Sequence, residues 1–301
     1  MSVDAMSDVP FGFLHPRVAR TERLSPSLIR VVLGGEELAR VVTGGRDQRF
    51  KLFLPQPGQH APVLPEVLDL DWYGRWRALD PATRGVMRTY TVRDVRQDPA
   101  ELDIDFALHG DLGPASRWAQ RAVPGDRLAI LAPLVEDNGG VDFCLPDDAD
   151  WVLITADETA LPAVANILGS LPPGTRVKAW IEVPHPEDRV PLPTKADADV
   201  TWLVRGTESA DRTTPLLTAV SRTGLPAGTP YAWIAGESAC VRALRRHLIN
   251  DRGFDRKSIS FMGYWRQGET EDDLLTAAVT AVKEAKAEAK TEAKEPAEAN
   301  A

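Results

Sequence analysis

The residues whose types and spacing could do chemistry are densest in Arg88-Thr89-Tyr90-Thr91-Val92-Arg93. Thr, Tyr and Val favour a strand, and alternation along it puts Arg88, Tyr90 and Val92 on one face, with Thr89, Thr91 and Arg93 on the other. A guanidinium two residues from a phenol ring offers a planar fork for a phosphate and an aromatic wall for a ring system. That pairing suits a flavin dinucleotide. Taken alone, the same residues also describe an edge strand with surface arginines.

Further stretches carry chemistry. In His109-Gly110-Asp111-Leu112-Gly113-Pro114-Ala115-Ser116-Arg117-Trp118, two glycines and a proline set up a tight turn before a short helix over Ala115 to Ala122. A helix N-terminus presents free N–H groups and the positive end of its dipole to a phosphate, and small residues at 113 to 116 let a ligand approach the backbone. A plain turn with a capped helix reads the same way. His109 has no partner identifiable by spacing and reads as a hydrogen-bonding residue. Further on, Asp157-Glu158 and Glu237 stand where a nucleotide-binding loop would carry glycines, and no G-x-G-x-x-G occurs. These carboxylates would repel a pyrophosphate placed on them; they could cap a helix, receive a nicotinamide amide or touch a flavin edge. Arg242, Arg245 and Arg246, at i, i+3 and i+4, describe either a solvated helix face or a patch for a nicotinamide cofactor's phosphates. Tyr264-Trp265-Arg266 at a strand end could close over a stacked ring or plug a domain interface.

The elements that must position these groups fall into two rhythms. Residues 28–33, 50–54, 88–93, 102–108 and 127–131 are short strand-like runs parted by Gly, Pro and Asp. In the fourth run, Leu102, Ile104, Phe106 and Leu108 alternate with polar or small residues. Strands without intervening helices predict a small antiparallel β-barrel, here taken as six-stranded. A long Pro-rich loop over 56–85 holds Trp72 and Trp76. From Asp150 strands alternate with helices: strands at 151–154, 177–183, 200–204, 231–235 and 258–262, and helices over 163–168, 214–220 and 239–251. This predicts a Rossmann-like parallel α/β domain with ligands beyond the strands' C-terminal ends.

Composition narrows the classes. The 301 residues suffice for two domains, and a net charge of −9 argues against nucleic acid or an anionic membrane as the main partner. Cys144 and Cys240 stand alone, so no disulfide framework or cluster spacing is present. The opening residues lack the basic start and apolar run of a signal peptide, and no later run is long enough to span a membrane, so a cytoplasmic location is expected.

Five motifs then occur in order: Arg88-x-Tyr90-Thr91-x-Arg93; Asp105-Phe106-Ala107-Leu108-His109-Gly110 with Gly113-Pro114-Ala115-Ser116-x-Trp118; Ala156-Asp157-Glu158-Thr159-Ala160-Leu161-Pro162; Trp233-Ile234-Ala235-Gly236-Glu237; and Gly263-Tyr264-Trp265-Arg266-x-Gly268. The series resembles the siderophore-interacting protein family, FAD-containing ferric-siderophore reductases related to ferredoxin-NADP reductases. The resemblance implies a flexible start over 1–12, a FAD-binding barrel of ferredoxin-reductase type over 13–146, an NAD(P)H-binding α/β domain over 147–268 and a charged tail over 269–301. It implies that Arg88, Tyr90, Thr91 and Val92, the segment Phe106, Ala107, Leu108 and His109, and Gly113, Pro114, Ala115 and Ser116 hold FAD. Asp157, Glu158, Thr159, Ala160, Tyr264 and Trp265 would lie near the flavin and the hydride donor. Lys51 resembles the lysine that faces the anionic chelate, and Arg205 and Arg266 are further candidate cations for it.

The implied chemistry is consistent. A nicotinamide delivers two electrons and ferric iron accepts one, so a carrier stable at the one-electron level must stand between them, as flavin can. Hard oxygen donors hold Fe(III) far better than Fe(II), so the protein need not ligate the iron, and its five histidines show no ligand spacing. The expected partners are a ferric siderophore, NAD(P)H and, as the alternative to nicotinamide, a small ferredoxin-like redox protein, acting on a monomer. In the tail, Leu274, Ala278 and Val282 form an apolar stripe that predicts an amphipathic helix docking on the body. Rows of like charge then predict fraying after about residue 290.

Overall fold

The computed structural model of the protein describes residues 9–108, 113–206 and 211–269. The expectations for the first eight residues, for His109 and for the tail beyond Glu269 lie outside the described residues. Among the described residues, those up to Tyr264 form one compact unit, and those from Trp265 on belong to a second.

The first half of the large unit contains eight strands: β1 (Phe11–Leu14), β2 (Arg17–Ser25), β3 (Leu28–Gly34), β4 (Arg49–Leu54), β5 (Val86–Thr91), β6 (Asp94–Gln97), β7 (Ala100–Ala107) and β8 (Ala129–Pro133). They form two four-stranded antiparallel sheets, in the orders β1-β8-β4-β5 and β2-β3-β7-β6. The architecture thus differs from the expected six-stranded barrel. β2 buries little beyond Val18 and Ser25 along its nine residues, and β6 is four residues long and partly exposed. Neither has an apolar run, and both exist because β3 and β7 offer them backbone partners. Leu14, Val31, Leu52, Ile104 and Ile130 fill the space between the sheets. Helix α1 (Trp72–Ala78) forms inside the Pro-rich loop, and α2 (Pro114–Arg121) packs Ala115 and Ala119 against the same core.

The second half alternates as expected: β9 (Trp151–Ala156), α3 (Leu161–Ser170), β10 (Arg176–Val183), β11 (Asp197–Val204), α4 (Thr214–Arg222), β12 (Pro230–Glu237), α5 (Ser238–Asn250) and β13 (Ile259–Trp265). The sheet order is β11-β10-β9-β12-β13, and β11/β10, β10/β9 and β9/β12 pair in parallel. β9 is apolar on both faces because α3 covers one side, while α4 and α5 cover the other. The chain leaves β9 in one direction and returns to β12 on its other side, so a switch point opens between these two strands at their C-terminal ends.

Two buried aspartates join the halves. Asp47, in the loop before β4, accepts the indole N–H of Trp233 at 3.0 Å and the backbone N–H of Phe143 at 3.0 Å. At the other end of the seam, Asp188 accepts from the Ser25 hydroxyl at 2.6 Å and the Ser27 N–H at 2.9 Å.

Candidate functional site

Strand β5 lies at the edge of its sheet, paired with β4 so that Tyr90 stands opposite Phe50 and Arg88 opposite Leu52. Phe50 and Leu52 point into the core, so Arg88 and Tyr90 share the core-facing side of an edge strand and remain half-buried. The Tyr90 ring sits 4.4 Å from that of Phe106 on β7, and Phe106 sits 5.9 Å from Trp118 on α2. Two of the five sequence motifs therefore meet in one aromatic cluster. Arg88 donates to the carbonyl of its neighbour Met87 at 2.6 Å. Val92 lies beyond the strand, in the core, and its carbonyl accepts from the Asn166 amide at 2.8 Å. The same Asn166 accepts from Arg93 at 3.0 Å, which ties the end of the motif to α3.

Gly113 is the N-cap of α2 in extended conformation, and Pro114 stands in the first turn, where its missing N–H costs nothing. Among the described residues no side chain caps this end, and none lies within 4 Å of a Cβ built on Gly113. Ala115 and Ser116 are buried at its base, and Ala107 and Leu108 are partly buried at the end of β7. A partly buried guanidinium, a phenol ring and the N-terminus of an eight-residue helix make a donor set that fits a dinucleotide carrying a ring system.

The carboxylates at the switch point have other work. Asp157 accepts from the N–H of Thr159 at 3.0 Å, capping the short turn Glu158–Ala160, and from the N–H of Glu237 at 2.9 Å, which links the two turns. Glu237 in turn caps α5, accepting from Ala239 at 2.6 Å and Cys240 at 3.0 Å. Glu158 is fully buried beneath Arg205, at 2.6 Å, and Arg212, at 3.0 Å. These turns carry their own anions, so their donor set does not fit a pyrophosphate. Thr159 is partly exposed and Ala160 is buried.

Of the three cations considered for an anionic chelate, Lys51 lies on the sheet beside β5 and donates to the Thr89 hydroxyl at 2.6 Å. Arg205, with 5% of its side chain exposed, is held inside the α/β half by Glu158 and by Glu182 at 3.3 Å. Arg266 is exposed and pairs with Glu269 at 3.0 Å. Tyr264 packs against the α/β core, where burial pushes its phenol above the ordinary value and the Asp47 carboxylate adds to the shift. Trp265 is the last residue of β13 and is partly buried. In the arginine row of α5, Arg245 lies over the Phe261 ring at 4.4 Å, while Arg242 and Arg246 are exposed.

Residues 17–137 match the family described as the siderophore-interacting FAD-binding domain, and residues 149–268 match the siderophore-interacting protein family. The chain is 31% identical over 265 residues to the ferric vibriobactin reductase of Vibrio cholerae, covering 86% of this chain and 92% of that protein. This chain belongs to the siderophore-interacting protein family. It is also 30% identical over 258 residues to the NADPH-dependent ferric-chelate reductase of Escherichia coli, covering 84% of this chain and 92% of the relative. Among solved structures, the siderophore-interacting protein SipS of Aeromonas hydrophila superposes with a TM-score of 0.73 at 35% identity, covering 90% of this chain and 98% of that one.

For a siderophore-interacting protein, the residues missing from the sequence reading are those that brace the site rather than line it. Asp47, Asn166, Asp188 and Arg212 have no local pattern, and their partners lie 186, 74, 163 and 54 residues away. Only an oversupply of buried-strand neighbours without polar partners could have pointed to them.

Proposed function

We propose that this chain is a ferric-siderophore reductase of the cytoplasm, a monomer that passes electrons from NAD(P)H through FAD to an Fe(III) chelate and releases Fe(II). The reading treats residues 13–146 as the FAD-binding domain and 147–268 as the domain that receives the donor. The observation that carries it is the meeting of Tyr90, Phe106 and Trp118 of α2 within a matched FAD-binding domain, with Arg88 on the same strand as Tyr90 and Lys51 on the neighbouring one. Bound FAD would supply the conversion from a two-electron donor to a one-electron acceptor. Arg88 and the α2 N-terminus neutralise its phosphates, and Tyr90, held by Phe106, presents a ring face. Thr91, Val92 and the segment from Phe106 to His109 complete the wall. Asp157, Glu158, Thr159, Ala160 and Tyr264 stand on the donor side, and Lys51 places a positive charge for an anionic chelate. The names of the two reductase relatives support this reading.

One observation favours a second donor. The switch-point turns are capped by Asp157 and Glu237, which leaves no backbone cradle for a nicotinamide dinucleotide's pyrophosphate and suits reduction by a small ferredoxin-like protein. An anaerobic visible spectrum of the FAD-loaded protein decides between them. Bleaching by NADPH or NADH, with recovery on adding a ferric siderophore and Fe(II) captured by a chromogenic trap, is the expected result. Protein that ignores both nicotinamides but is bleached by reduced ferredoxin supports the second donor, and protein that cannot be loaded with FAD overturns both.

A further inference from the structure

Helix α5 carries three arginines and no acid. From Ser238 to Tyr264, five arginines and one lysine stand against two aspartates, in a chain whose net charge is −9. Both aspartates follow the helix and are engaged: Asp251 meets the His247 ring at 2.7 Å, and Asp255 accepts from the N–H of Lys257 at 2.8 Å. Arg30, Arg49, Arg96 and Arg205 are all ion-paired, whereas Arg242, Arg245 and Arg246 have no ion pair among the described residues.

Ser238, Arg242 and Arg245 recur at i, i+4 and i+7 and so lie along one side of α5. Contacts with β13 fix both ends of this row. A Cβ on Gly263 would stand 2.4 Å from the Ser238 hydroxyl, and Arg245 lies over the Phe261 ring at 4.4 Å. Arg242 is carried along the same seam and is exposed, as is Arg246 one turn further along the helix. Phe261 is 44% exposed, and the buried Nε of Arg245 has no hydrogen-bond partner among the described residues. Aromatic rings and guanidiniums are the groups that most often anchor protein interfaces. β13 is the edge strand of its sheet, and its far end approaches β5: the phenol of Tyr264 feels the charges of Asp47 and Arg49, and Arg49 stands opposite Thr91, the neighbour of Tyr90.

We infer that the face formed by α5 and β13, centred on Arg242, Arg245 and Phe261, is the docking surface for an acidic, one-electron donor protein of the ferredoxin type. The inference rests on the reading in which a small redox protein reduces this chain. Charge complementarity selects the occupant: an acidic protein is repelled by the net charge of the chain as a whole and attracted to this face, which orients the encounter. Two encounters supply two electrons, and two Fe(III) chelates accept them as Fe(II), each donor losing one electron and each iron gaining one.

The test uses FAD-loaded protein and an acidic two-iron ferredoxin. Calorimetry reads the Kd for the oxidised ferredoxin. Anaerobic stopped-flow reads flavin bleaching by the reduced one, with reduced methyl viologen as a small donor that needs no docking surface. The double variant R242E/R246E changes only exposed side chains. At low ionic strength it should raise the Kd about tenfold and slow bleaching by ferredoxin to match, with the viologen rate shifted less than twofold and the salt dependence flattened. Phe261→Ala should raise the Kd about fivefold at every ionic strength. Ferredoxin binding that neither variant alters overturns the inference. So does a slower reaction of R242E/R246E with NADPH alone, which gives the arginines to a nicotinamide cofactor's phosphates. Wild-type dimers that the variant abolishes, read by sedimentation, also overturn it and give the face to a second copy. Wild-type protein that carries FAD yet ignores reduced ferredoxin removes the second donor and this surface together, whereas bleaching of wild type and both variants at one rate removes only the surface.

Discussion

Glu182 shows how much a single buried group can matter. Only 2% of the residue is exposed, Arg205 donates to one of its carboxylate oxygens at 3.3 Å, and the other has no hydrogen-bond partner among the described residues. Burial pushes its carboxyl up to about 7, with Arg205 and then Arg212 pulling the other way. The folded protein therefore holds this proton more tightly than the unfolded chain. Stability from Glu182 is fully present below the unfolded value of 4.5 and falls as pH rises toward about 7. Glu182→Gln keeps an acceptor for Arg205 and removes the titration. Its urea midpoint should overtake that of the wild type with rising pH, by on the order of 2 kcal/mol at pH 8. Parallel pH profiles for the two proteins would rule the account out. Glu158→Ala acts in the opposite sense, because it strips two guanidiniums of their main counter-charge, and should cost about 3–5 kcal/mol in the same measurement. Gly236 is a third sensitive point. Its φ is +139°, and a Cβ there would stand 2.6 Å from an Asp157 carboxylate oxygen already fixed by backbone bonds. Gly236→Ala should lower stability by roughly 1–3 kcal/mol and reduce donor-side activity together with it.

At the scale of elements, the site depends on β5 being held between β4 and α3. Asn166→Ala removes both the partner of Arg93 and the donor to the Val92 carbonyl. The expected loss is about 1–3 kcal/mol, with weaker FAD retention measured by flavin release on dilution. How far these elements could be read from sequence follows from what made them. β9, β10 and β12 were legible to within two residues at each end because each is largely buried and mostly apolar, with Lys178 and Glu182 the main interruptions in β10. β2 and β6 were not, since their pairing is a property of their neighbours, and α1 was hidden in a Pro-rich stretch where aromatic packing outweighs local propensity. The site divides along the same line. Arg88, Tyr90 and the glycine turn at 113 declare themselves through alternation and spacing within a few residues. The linking of Asp157 to Glu237, across 80 positions, needs the parallel sheet to bring two turns together. The local alternation put Val92 on the side of Arg88 and Tyr90; the strand ends at Thr91, and Val92 lies in the same core against which Tyr90 packs.

At the scale of the whole molecule, the two-sheet half and the α/β half up to Tyr264 are one unit, cross-linked at Asp47 and Asp188. Burial alone would raise the Asp188 carboxyl, but the hydrogen bonds from Ser25 and Ser27 hold it below its ordinary value. Its contribution is therefore present above the unfolded carboxylate pKa and is lost as pH falls through that range. A single urea transition, with tryptophan fluorescence and far-UV dichroism coincident, is expected for this unit. Asp188→Ala should lower its midpoint by the equivalent of about 2–4 kcal/mol. Two resolved transitions in the wild type would show that the seam is weaker than its hydrogen bonds imply. The same seam limits what an engineer can do with the protein. A chimera that took residues after 147 from a homologue lacking equivalents of Trp233 and Asp188 would leave Asp47 and Ser25 buried without their cross-seam partners. The two halves are therefore not interchangeable cassettes, and any graft of a new donor-binding half must bring its own matching pair of seam residues.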